Sequence, residues 1–262
     1  MVLPVYDDNP TRRAAYVTWS LVVLNIGIFF FSPVRAPFFG NPSAHQLCHQ
    51  KAFYEHYAAI PRELAHLAPL NYTYGTGPGQ MCQLVARTFD KHILLSSVTY
   101  MFVHGGVLHL LGNMLFLVIF GNNVEDRLGR LRFLVFYLVA GVVSAFSYAL
   151  VNPAGQAPLV GASGAIAGIL GAYLVLYPRA PVTGLLLFVI PLRLPAWIVL
   201  GMWFGIQSFY ARGTGVAGGG VAYFVHVVGF VTGVAYAAVN RRRFREEPPE
   251  PEPRANPSSA HP

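Results

Sequence analysis

The chain has 262 residues, 54% of them hydrophobic and only 11% charged, with a mean hydropathy of +0.47 and a formal charge of +7. Soluble domains carry about a quarter charged residues, so this composition excludes an ordinary water-soluble globule and points to lipid as the solvent. The basic residues gather at the ends of apolar runs instead of forming a stripe, which reads as membrane topology and gives no reason to expect a nucleic-acid partner.

A helix needs about 20 apolar residues to cross a hydrocarbon core about 30 Å thick. The first such run, 15–31, follows a short cytoplasmic N-terminus, 1–14, that carries Arg12 and Arg13. No small-residue cleavage site follows it, so it reads as a retained helix and not a leader. Residues 32–97 form a long extracytoplasmic loop holding His45, Cys48, His49, His56, His66, Cys82 and His92. Cys48 and Cys82 would pair or stay free; the sequence leaves both open, and a pair would stabilise by roughly 3 kcal/mol. His45, Cys48 and His49 fit no tight ligand spacing, so neither a metal nor another cofactor is expected.

Five further spans fall in 98–240, at 105–120, 133–151, 163–177, 195–209 and 219–239. The piece 182–191 is too short to span and is bracketed by Pro181, Pro191 and Pro195, so it reads as interfacial. Residues 241–262 give a basic anchor, starting at Arg241, Arg242, Arg243 and Arg245, and then a Pro- and Glu-rich tail with nothing apolar to bury, expected to be disordered. The fold class expected is an all-α membrane protein with six spans. Arg12, Arg13, Arg127, Arg130, Arg132, Arg179 and Arg193 all fall on the side of the termini, which the positive-inside rule makes cytoplasmic. All eleven acids lie outside the apolar runs.

Polar groups inside a membrane are costly and are functional candidates by default. Four stand out: His109, Asn113, Ser163 and His226. Counting back at about 1.5 Å per residue from Glu125, Pro178 and Arg241, they lie roughly 24, 18, 22 and 22 Å above the cytoplasmic face. A serine, two imidazoles and an amide thus share one level on three parallel helices. The helix beginning at Ser163 is too short to cross, so 152–162 must enter the membrane as non-helical backbone, which survives only inside protein or beside a wet cavity. Gly161, Gly164, Gly229 and Gly233 are the small residues that let the two helices approach closely enough for Ser163 to reach His226.

These pieces resemble the rhomboid family of intramembrane serine proteases. The matching motifs are Gly161-Ala162-Ser163-Gly164, His226-x-x-Gly229-x-x-x-Gly233, and His104-x4-His109-x3-Asn113. Two more are Glu125-Asp126-Arg127-Leu128-Gly129 and Tyr137-Leu138-Val139-Ala140-Gly141. The resemblance covers about 99–243 in order. It implies that Ser163 is the nucleophile and His226 its base. It implies that His109, Asn113 and the Ser163 N–H form an oxyanion hole, and that Glu125 and Arg127 tie the loop after the second span. The partners it implies are transmembrane protein substrates and the lipid bilayer, in a bacterial plasma membrane; the oligomeric state is not readable. Two departures stand out. Leu94-Leu95-Ser96-Ser97-Val98 occupies the place of a Trp-Arg loop anchor, and Ala167 stands where some relatives stack an aromatic on the histidine, so another group must support His226.

Two other classes compete with the protease. A non-catalytic rhomboid-like chaperone would bind transmembrane segments without cutting and would resist fluorophosphonate labelling. A small transporter would more often show paired half-repeats or an intramembrane carboxylate, and neither is visible.

Overall fold

Each long apolar run of the sequence becomes a helix in the computed structural model, which describes residues 2–34, 44–70, 91–186, 190–213 and 223–242. Helix α1 is Tyr16–Phe31, α5 Val107–Leu128, α6 Arg130–Val151, α7 Ser163–Leu176, α8 Ala196–Gly213 and α9 Tyr223–Val239. Helices α5 and α6 are long and apolar enough to cross a membrane, while α1, α7 and α9 are apolar but shorter. The first loop carries α2 (Ala44–Tyr57) and α3 (Pro61–His66), and α4 (Ile93–Thr99) leads through a 3₁₀ turn, Tyr100–Phe102, toward α5. The stretch from Leu94 to Val98 is thus a helix whose Ser96 and Ser97 hydroxyls bond to backbone carbonyls one turn back.

Glycines decide the packing of α7 on α9. A Cβ on Gly229 would collide with the Gly164 carbonyl oxygen, one on Gly233 with that of Gly168, and one on Gly171 with that of Phe230. Two backbones in direct contact gain dispersion energy that lipid chains cannot supply, which is why small residues line such interfaces. Around this pair lies the buried core: Leu117, Phe120, Phe133, Tyr137, Ile169, Leu170 and Tyr173 are fully or nearly fully buried.

Residues 152–162 are non-helical, and their backbone groups find partners in the loop region. Ala59 and Leu159 exchange both N–H···O bonds, Arg62 N–H donates to Gly155 O, and Gly161 N–H donates to Tyr100 O. Those bonds satisfy polar groups that lipid could not, and they fix the approach to α7. The loop itself is held by a buried ion pair, Lys91 with Glu63. Lys91 also donates to Ala58 O at 2.9 Å, and Glu63 accepts from Leu70 N–H at 3.0 Å. Burial pushes the Lys91 ammonium below its ordinary range, against the pull of Glu63. Cys48 is buried and disulfide-bonded; Cys82 lies outside the described residues, as do Arg243, Arg245 and the tail.

One expectation needs correcting. The described structure is predominantly helical but not all-α: the piece read as merely interfacial is part of a three-stranded antiparallel sheet. Its strands are β1 (Val2–Asp7), β2 (Pro181–Leu186) and β3 (Ile190–Pro195), in the order β1-β2-β3. Proline placement explains how a proline-rich stretch manages this. Pro191 and Pro195 lie on the edge strand β3, Pro181 is the first residue of the central strand, and the β1 register shifts just after Pro4. Strands β2 and β3 are neighbours in the chain, but β1 joins them from the far N-terminal end, so no local signal announced it.

Candidate active site

Ser163 is the first residue of α7. Gly161, two residues earlier, holds φ at +112°, a conformation open to glycine, and Ala162 then turns into the helix. The first N–H groups of a helix have no intrahelical partner, so the Ser163 N–H stands at the positive end of α7. One turn into α9, the His226 ring is buried, and its Nε2 lies 2.8 Å from the Ser163 Oγ. Its Nδ1 lies 2.9 Å from the Gln207 Oε1 of α8. The amide oxygen can only accept, so Nδ1 carries the proton and Nε2 is left to accept from the serine hydroxyl.

His109 and Asn113 stand one turn apart on α5. The Gly105 N–H points at the His109 Nδ1 at 3.4 Å, which leaves Nε2 as the N–H nitrogen. A Cβ built on Gly161 would stand 2.6 Å from that Nε2 and 3.4 Å from the Asn113 Nδ2. The Asn113 Nδ2 is buried and has no hydrogen-bond partner among the described residues. Two N–H donors therefore converge on Gly161, two residues before Ser163. A buried donor without a partner is costly, and one aimed at a reacting centre is how a site stores readiness for a developing anion. His104 packs edge-on against His109, ring centroids 5.3 Å apart.

The remaining sequence candidates fall in two places. Gly164, Gly229 and Gly233 form the α7–α9 contact. Glu125 is buried at the far end of α5, and its carboxylate accepts from Val17 N–H, Thr18 N–H and the Thr18 hydroxyl at the start of α1. Asp126 beside it accepts from Arg12 N–H and Arg13 N–H. The Glu125 side chain thus ties the first helix. Arg127 is half-buried in the last turn of α5, where a cation suits the helix dipole.

Sequence reasoning missed Gln207 and Trp203. Ala167 is small and fully buried, and the ring beside His226 comes instead from Trp203 of α8, centroids 6.1 Å apart and tilted by 35°. Tyr223 of α9 meets the same ring edge-on at 6.5 Å. The signal for Gln207 was present: it is a carboxamide inside the apolar run 195–209, and a polar group there invites the question of its partner.

A helical scaffold with two membrane-length helices, presenting a hydroxyl–imidazole pair at the ends of glycine-packed helices, defines the class. The Rhomboid domain profile matches residues 91–243, more than half of the sequence, and the chain belongs to the rhomboid family, an integral membrane family whose members include serine proteases. It is 32% identical over 160 residues to Rhomboid protein 1, mitochondrial, of Saccharomyces cerevisiae, covering 58% of this chain and 44% of that protein. It is 38% identical over 90 residues to RHOMBOID-like protein 1 of Arabidopsis thaliana, covering 34% and 23%. With Rhomboid protease GluP of Bacillus subtilis it shares 33% over 127 residues, covering 48% and 24%. The chain thus matches less than half the length of these relatives.

Proposed function

We propose that the protein is an intramembrane serine endopeptidase that hydrolyses peptide bonds in or next to transmembrane segments of other membrane proteins. The observation that carries the reading is the 2.8 Å contact between the Ser163 Oγ and the His226 Nε2, with the ring nitrogen bare on the serine side. Ser163 attacks the scissile carbonyl carbon while its proton passes to the His226 Nε2. The carbonyl oxygen becomes an oxyanion and takes hydrogen bonds from the His109 Nε2, the Asn113 Nδ2 and the Ser163 N–H. His226 then hands its proton to the leaving amine. Water, deprotonated by the same imidazole, frees the acyl group from Ser163.

The membrane reading has six spans, α1 and α5 to α9, with 98–240 as the catalytic bundle and 32–97 on the extracytoplasmic side. Both termini are cytoplasmic, in a bacterial plasma membrane. The arginine distribution supports that orientation. On this arrangement Ser163, His226, His109 and Asn113 lie near the outer leaflet, where water can enter. The substrates are transmembrane proteins, as the family resemblance implies.

The test is digestion of a model transmembrane substrate in proteoliposomes. Wild type should give product; Ser163→Ala and His226→Ala should give none. Equal cleavage by Ser163→Ala overturns the mechanism. His109→Ala should keep substrate binding and slow turnover by about 10²–10³-fold, the usual effect of losing one oxyanion donor.

A further inference from the structure

The bond between α8 and the imidazole has a chemical consequence. Of the atoms around His226, Ser163 comes from α7, His109 from α5, Gln207 and Trp203 from α8, and Tyr223 from its own helix. None of these is a carboxylate. Among the described residues, the group bonded to the Nδ1 is the neutral Gln207 amide, at 2.9 Å. Without it the ring is free to place its proton on Nε2, where it would face the serine hydroxyl with a donor and take no proton from it.

Trp203 and Gln207 are four residues apart and share one face of α8. Trp203 lies beside the His226 ring and also beside Phe230, 6.0 Å away, and Phe204 stacks on Phe230 at 4.6 Å. The aromatic contacts hold α8 against α9 at this level, so the amide is carried by a packed helix face. A carboxylate in the same place would be a membrane-embedded charge whenever the imidazole is neutral, which is costly. The amide supplies the tautomer without that charge.

We propose that Gln207 is the positioning residue of the site: its carbonyl oxygen keeps the His226 proton on Nδ1, so that Nε2 stays ready to accept from Ser163. The proposal rests on the reading of Ser163 and His226 as nucleophile and base.

The experiment compares wild type, Gln207→Leu, Gln207→Glu and Ser163→Ala in proteoliposomes. It measures kcat and KM for a transmembrane substrate across pH, and the ring ¹⁵N shifts of His226. In wild type the shifts should report a protonated Nδ1 and a bare Nε2. Gln207→Leu should lower kcat by about 10²-fold or more, within the roughly 10⁴-fold that a wrong tautomer costs in a serine–histidine–aspartate triad, with KM unchanged. Gln207→Glu should keep activity but move the acid limb of the rate–pH profile to higher pH, because an anion favours the protonated ring. A wild-type ring protonated on Nε2 overturns the proposal, and that reading needs no variant to fold. So does a Gln207→Leu enzyme with wild-type kcat, or a Gln207→Glu profile that does not move. Activity in Ser163→Ala equal to wild type would instead sink the reading of Ser163 and His226 as nucleophile and base beneath it.

Discussion

The Glu125 carboxylate caps the first turn of α1 from across the bundle, with Thr18 as its chief partner: the Thr18 N–H and hydroxyl donate at 2.7 and 2.8 Å, and the Val17 N–H adds a third bond at 2.9 Å. Helix α1 has no side-chain cap of its own at Ala15, so the cap is tertiary. Removing the carboxylate leaves buried donors without an acceptor. Glu125→Ala should lower stability by about 3 kcal/mol, more than Thr18→Val at about 1 kcal/mol, read from thermal unfolding in detergent. A double-mutant cycle should show positive coupling between the two; additive losses would separate them.

Close packing of α7 and α9 is steric, and a single methyl tests it. Gly233→Ala puts a Cβ into the Gly168 carbonyl oxygen, so the helices must part or shift. We expect a loss of at least about 2 kcal/mol, in the range of overpacked cores, together with lost turnover because Ser163 and His226 ride on the displaced helices. Gly201, with nothing within 4 Å of a built Cβ, is the control: Gly201→Ala should leave both measurements unchanged.

The space beside Gly161 has its own test. Gly161→Ala would place a methyl 2.6 Å from the His109 Nε2, in the region toward which both donors point, and would strain a φ of +112°. Turnover should fall by about 10²-fold or more while fluorophosphonate labelling of Ser163 drops with it. Full labelling with no turnover would show that the serine does not depend on this space.

Asp7 gives the pH dependence. Burial raises its pKa from 3.8 to about 6, with Asp8 adding to the rise and hydrogen bonds opposing it; the Asn123 amide donates to it at 2.6 Å. The folded protein therefore binds this proton more tightly than the unfolded chain. The associated stability is fully present below about pH 4 and is lost as pH rises through about 6. Asp7→Asn should melt higher than wild type at pH 7.5, by an amount worth no more than about 3 kcal/mol, and the gap should close toward pH 4. A gap of constant size across that range would show that Asp7 does not titrate in this way.

How far the sequence carried can be judged from particular residues. The apolar runs at 15–31, 133–151 and 163–177 coincide with α1, α6 and α7 to within a few residues, because in lipid the backbone must bond within its own helix and the boundaries follow hydropathy. The shared level of Ser163, His226, His109 and Asn113 followed from helix rise alone. The strand at Val2–Asp7 could not be read, since its partner strand among the described residues lies some 180 residues away. Nor could Gln207 be linked to His226, because no spacing relates one helix to the face of another.

Solvent class, apolar helices and the chemistry-bearing side chains were thus set by composition and period, which are local properties of the chain. Tertiary structure alone decided which atoms meet: the amide oxygen on the far side of the imidazole, the carboxylate at the start of the first helix, and the His109 and Asn113 donors drawn up against Gly161. Those contacts depend on helix rotation and approach to within an ångström, and packing of the whole bundle fixes these where sequence periodicity does not.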